Sequence, residues 1–266
     1  MTPTAWKAFS AARDHYREFI TQLRRRLPSL AQAQQKLVDK RDGPSYTVET
    51  PIVYNEALDD IGPDDDIKLI LTADNPGRRE QAAENRRYLV GPSGKITERF
   101  FRETPELKSD FRKNVIILNK TPIHTPRTAE LGELKKLLLQ DSGLSAKTSA
   151  SVSASASVAA IEESQRTMAE LLLEFQQALS TSRTILPVWI IGYSEMKKGG
   201  IFETYTETLK TLYAKRPAAE KKIFFYRHFS MNQFTIDLHK QAAAGETVSQ
   251  TLERIGTAYR LRILGR

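Results

Sequence analysis

Four short polar clusters follow four apolar runs in this chain, and their side chains supply hydrogen-bond donors, acceptors and titrating groups. Asp74-Asn75-Pro76-Gly77 follows "IKLILTA" (67–73), Asn119 sits near the end of "NVIILNK" (114–120), Tyr193 closes and Ser194 follows "ILPVWIIGY" (185–193), and His228 lies near the end of "KIFFYRHF" (222–229) with Ser230 just after it. An asparagine amide orients water through hydrogen bonds but is a poor base, whereas a carboxylate stabilises a cationic carbon. Asn75 and Asp74 supply one of each in adjacent positions. Asn119 offers a donor and an acceptor in one plane, and a neutral His228 donates a hydrogen bond. Each has a plain alternative: Asp-Asn-Pro-Gly is a good turn, Asn119 precedes Thr-Pro, and a strand-end histidine commonly only packs.

What would position these groups is a sheet. Near-continuous apolar runs read as strands buried on both faces, and amphipathic helical patterns separate them, as at Ile161–Leu179 and Tyr205–Tyr213. The expected fold class is therefore α/β, a three-layer α/β/α arrangement around a central, mainly parallel four-stranded sheet. Ligands of such sheets meet the carboxyl ends of the strands, which gathers the four clusters on one edge. Residues 1–45 read as a helical N-terminal extension, with Phe9, Tyr16, Phe19, Ile20, Leu23 and Leu27 on one stripe before Pro28. Residues 46–266 form the main domain. "TAELGELKKLLLQDSG" reads as a helix capped at Gly143, and the Ser/Ala-rich tract 145–160 as a mobile insertion.

Composition excludes several classes. With no cysteine there is no disulfide, thiolate nucleophile or iron–sulfur cluster, and a reducing, cytoplasmic setting is expected. No apolar run approaches the ~20 residues of a membrane span, and the N-terminus lacks a secretory segment. The net charge of +8 favours a polyanionic partner. Arg78, Arg79, Arg86, Arg87, Lys95, Arg99 and Arg102 crowd around the NPG and GPSGK turns, either as a phosphate-binding patch or as a solvated face. GPSGK is not a nucleotide phosphate loop: Leu89 stands where its first glycine belongs, and Ile96 where Ser or Thr would hold magnesium.

Taken in order, the motifs resemble the uracil-DNA glycosylase superfamily over roughly residues 65 to 235. "ADNPG" resembles the G-x-N-P-G form of the first catalytic motif, "VIILNKTP" the strand whose asparagine reads a pyrimidine edge, and "HFSMN" the last motif, H-P-S-P or N-P-S-G. "YLVGPSGK" resembles a segment of the branches that carry an iron–sulfur cluster, which this chain has no cysteines to hold. The resemblance implies a monofunctional DNA glycosylase that flips a pyrimidine into a pocket and hydrolyses its N-glycosidic bond without metal or organic cofactor. It assigns Asn75 or Asp74 to the water or the cationic sugar, Asn119 to the base edge, and His228 to the O2 of the leaving base. Ser93, Gly94, Lys95, Ser230, Arg78 and Arg79 become phosphate contacts, and Tyr88 either stacks on the base or belongs to the core.

Gly77 stands where the strict uracil branch carries a tyrosine that crowds C5, so a C5-modified pyrimidine becomes admissible, including hypermodified viral cytosine in an antiviral role. The chain departs from the family at Phe229 and Met231, which replace both prolines of H-P-S-P and leave the wedge open among Asn232, Gln233 and Phe234. Lys120, if it faced the pocket, would supply a lyase amine. DNA is the implied partner and a monomer the implied state. The rival readings are a catalytically inactive DNA-binding protein of the same fold and a hydrolase of small nucleosides or nucleotides.

Overall fold

A computed structural model of the chain describes residues 1–42, 45–140 and 149–265. Its centre is a parallel sheet of β1 (Leu69–Ala73), β2 (Val115–Asn119), β3 (Val188–Ile191) and β4 (Ile223–Tyr226), in the order β2-β1-β3-β4. Every strand residue is buried, as the apolar runs require. Alternation across the pleat divides the core in two. Ile70, Ile116, Leu118, Val188, Ile190 and Phe225 face one layer, and Leu71, Ile117, Trp189, Ile191, Phe224 and Tyr226 face the other.

The first layer holds α1 (Pro3–Arg26), α2 (Leu30–Asp42), α5 (Glu130–Gln140), α6 (Ser149–Leu179) and α7 (Glu203–Ala214). The second holds α4 (Pro92–Glu103), α9 (Gln233–Gln241) and α10 (Val248–Leu264). Two one-turn helices, α3 (Arg78–Gln81) and α8 (Pro217–Glu220), complete the chain. The β1-to-β2 connection runs opposite in direction to the next two, so right-handed crossovers place α4 and the α5–α7 group on opposite faces. No helix among the described residues is long and apolar enough to cross a membrane.

The N-terminal helices belong to the main core. Thr2 caps α1, Pro3 takes its first position, and Phe9, Tyr16, Ile20 and Leu23 are buried in the cluster that covers the sheet. Within the tract read as a Ser/Ala-rich insertion, the described residues are helical. Residues 149–160 form the first turns of α6, where Ala160 is buried, while Gly143 and residues 145–148 lie outside the described residues. Alanine is the best helix former, and a helix already anchored at Ile161 and Met168 extends through it at little cost.

Candidate active site

The strand order reverses between β1 and β3, so the loops leaving these strands diverge and open a crevice at their carboxyl ends. A cavity of about 620 Å³ lies there. Asp74, Asn75 and Gly77 reach it from β1, Asn119 from β2, Gly192 and Ser194 from β3, and His228 and Ser230 from β4. The wall is completed by Arg78, Arg79 and Glu80, by Gly91, Pro92 and Ser93 at the start of α4, and by Thr125 to Thr128.

Asn75 is held in one orientation. Its Nδ2 donates to Thr125 Oγ1 at 2.8 Å and to the Ile123 carbonyl at 3.2 Å. Thr125 spends its own proton on the Arg127 carbonyl and so can only accept from Asn75. Oδ1 is thereby left as the acceptor available to water. Asn119 is 2% exposed and its Nδ2 has no partner in the protein. An orphaned buried donor costs about 1–3 kcal/mol, and this one lines a cavity where an incoming acceptor satisfies it.

His228 is a donor toward the cavity. The Ser230 backbone N–H lies 3.0 Å from Nδ1 and can only donate, so Nδ1 is unprotonated and the proton sits on Nε2. The Ser230 hydroxyl also meets Nδ1, at 2.9 Å. Burial lowers the imidazole's pKa; Asp74 opposes that shift and Lys120 reinforces it, which keeps the ring neutral at physiological pH. Ser230, expected as a phosphate contact, thus has hydroxyl and amide committed to this ring.

Beneath these groups lies an ion pair. The Lys120 ammonium, fully buried, donates to Asp74 Oδ1 and to the Ile191 carbonyl at 2.6 Å, and sits 4.9 Å from the Phe202 ring centre. Burial lowers its pKa, and Asp74 offsets that shift only in part. With its protons committed away from the cavity, Lys120 is no lyase amine. It is a strut that fixes Asp74, whose other oxygen lies 3.5 Å from Thr128 Oγ1. Gly192, at φ +77, lies against Asp74 so closely that any Cβ would strike the carboxylate.

The two turns named in the sequence are tied by Glu80. Its carboxylate accepts the Gly77 amide at 2.5 Å, and the Leu89 and Val90 amides also turn toward it. Burial raises its pKa and these amides lower it. The start of α4 then faces the cavity through Gly91, Pro92 and Ser93, where a helix N-terminus favours an anion.

Several expected contacts fall elsewhere. Tyr88 is 1% exposed; its hydroxyl donates to the Val53 carbonyl at 2.7 Å and meets the Tyr16 hydroxyl, so it is a core residue and stacks on no ligand. Gly94 is buried, and a Cβ there would collide with the Leu89 carbonyl, so it serves close packing instead of ligand contact. Lys95 lines a separate cavity. Phe234 is buried and stacked on Phe229 at 4.0 Å, which removes it as a wedge and leaves Asn232 and Gln233. Next to them Met231 is 79% exposed at φ +51, a strained conformation for a bulky residue.

The arginine crowd disperses. Arg86 pairs with Glu56, Arg87 with Asp60, and Arg99 and Arg102 with Glu103. Arg78 and Arg79 stay at the cavity, Arg78 over the Tyr46 ring at 4.8 Å. Sequence reasoning missed Glu80, Thr125, Arg127, Thr128 and the anchor of the first turn, His124. The fully buried His124 donates from Nδ1 to the Pro76 carbonyl at 2.8 Å and accepts the Tyr46 hydroxyl at Nε2. Gln34 of α2 holds the His124 carbonyl at 2.7 Å. The one local signal was the "TPIHTP" run after Lys120. Compared with protein-family models, curated proteins and solved structures, the chain matches none.

Proposed function

We propose that the protein is a DNA glycosylase that hydrolyses the N-glycosidic bond of a pyrimidine turned out of the strand, leaving an abasic site. The observation that carries this reading is the meeting of Asn75, Asn119 and His228 in one cavity, with one acceptor, one orphaned donor and one neutral imidazole N–H facing a common space. Departure of the base places negative charge on its ring and cationic character on the sugar. His228 Nε2–H and Asn119 Nδ2 stabilise the first, and the Asp74 carboxylate the second. Asn75 Oδ1 holds the water that captures the sugar, so Asp74 and Asn75 divide the task for which they were rivals.

Gly77 bounds the cavity without a side chain, which admits uracil or a pyrimidine carrying bulk at C5, and with it a role in repair or against modified viral DNA. The test is a panel of oligonucleotides bearing uracil, mismatched thymine and C5-modified cytosines, followed by alkali. Scission at the modified position supports the reading; intact strands across the panel sink it. One observation favours a second reading, hydrolysis of free nucleosides or nucleotides. Four of the seven cations clustered in sequence are paired to acids, and a fifth, Lys95, lies in another cavity. Base release from mononucleotides alone would establish that reading.

A further inference from the structure

A second concavity, of about 980 Å³, opens beyond Ser194, which lines both it and the candidate active site. Its cations come from distant parts of the chain: Lys197 and Lys198 from the loop after β3, Lys210 from α7, and Arg262 from α10. The Arg262 guanidinium lies 5.1 Å from the Tyr193 ring and 4.9 Å from the Tyr259 ring, and the two rings are 4.5 Å apart. Among the described residues, no carboxylate pairs with Lys197, Lys198 or Arg262. The two acids of this groove are otherwise engaged, Glu203 with the Gly199 amide and Glu207 with Lys210.

The lysine loop is also anchored. Met196 before it is buried, the Gly200 amide returns to the Lys197 carbonyl at 2.9 Å, and Phe202 N–H bonds the Glu195 carbonyl at 3.0 Å. Gly199 takes φ +73, a turn conformation that side chains resist. Two exposed ammonium groups are thus held on a tied loop beside an aromatic and guanidinium platform.

We propose that this groove carries the sugar-phosphate chain that continues from the nucleotide in the cavity, so that the ligand is a polynucleotide strand. The proposal rests on the reading of the cavity as a nucleotide site. A single nucleotide there has Arg79 and Arg127 within the same walls and leaves the cations past Ser194 without a counter-charge. A continuing chain supplies phosphates for Lys197 and Lys198 and a base to stack on Tyr193 and Arg262.

Binding of labelled single-stranded oligodeoxythymidines of increasing length, read against salt, tests the proposal. Each single-strand phosphate contact contributes about 0.7 to the slope of log affinity against log salt, so K197Q/K198Q is expected to lower the slope by roughly 1.4. Its deficit grows with strand length, and R262Q weakens binding several-fold. Lys221→Gln, at the amino end of β4, reads as wild type. An unchanged slope in K197Q/K198Q overturns the groove while abasic-site formation can still succeed. A lowered slope with no base release upholds the groove and sinks the chemistry. A wild-type protein that binds no oligonucleotide overturns both.

Discussion

Lowering the pH from 7 to 4 asks the folded chain to place a second proton on His124, where no acceptor waits for it. Nδ1–H is already donated to the Pro76 carbonyl, and Nε2 accepts from Tyr46 at 3.0 Å. Burial lowers the imidazole's pKa from 6.5 to about 4. The unfolded chain takes up this proton near 6.5 and the folded chain only near 4. Through that window the unfolded state binds more protons, and stability falls as pH falls, levelling off below 4. At 1.36 kcal/mol per pH unit the gap is worth roughly 3 kcal/mol. Urea unfolding at pH 7 and pH 4, for the wild type and for His124→Asn, isolates it. The asparagine amide still reaches the Pro76 carbonyl but does not titrate. At pH 7 the variant starts about 2 kcal/mol lower, for the void and the lost hydrogen bond from Tyr46. On acidification it loses roughly 3 kcal/mol less than the wild type, other titrating groups being common to both. Equal losses would refute a neutral, buried His124.

Three further outcomes are expected. Gly77→Tyr folds normally, since its φ is −88 and the nearest atom to a new Cβ is Glu80 Oε2 at 3.6 Å; preference among C5-substituted pyrimidines narrows about tenfold or more, and unchanged preference in the oligonucleotide panel would put C5 elsewhere. Asn119→Ala removes an orphaned donor, so urea unfolding shows little loss while kcat/KM falls about 100-fold; lost stability with retained activity would make Asn119 structural. Borohydride traps no covalent adduct between the wild-type protein and abasic DNA, because the Lys120 protons are bound by Asp74 and the Ile191 carbonyl; an adduct through Lys120 would contradict that arrangement.

The fold and the strand-end residues were legible in the sequence for one reason. A strand buried on both faces shows as an unbroken apolar run, and the polar residue that ends it marks a carboxyl terminus. What stayed hidden depends on residues far apart in the chain. Tyr88 sits between a loop and Leu89-Val90, and only Tyr16 of α1 makes it core. The arginines near GPSGK are close in sequence, but α4 carries Arg99 and Arg102 roughly 10–15 Å along its axis from the end that meets the cavity, at 1.5 Å per residue. The free cations beyond Ser194 show the reverse, Lys197 and Arg262 converging from opposite parts of the chain.

Lys120 carries the point furthest. After a strand, a lysine reads as solvated, and the two carboxylates within ten residues of it are engaged elsewhere, Asp110 in its own turn and Glu130 with Arg41 and the Arg127 amide. The register pairs Ala73 with Asn119, so the next residues of the two strands, Asp74 and Lys120, must lie side by side. Burial of that ammonium follows from the register and not from local sequence. A buried charge is tolerable only with a partner and further acceptors, and β3 supplies these through the Ile191 carbonyl. The same alignment that makes the ion pair puts Asn119 beside the turn carrying Asn75, so the strut and the site are consequences of one pairing of strands.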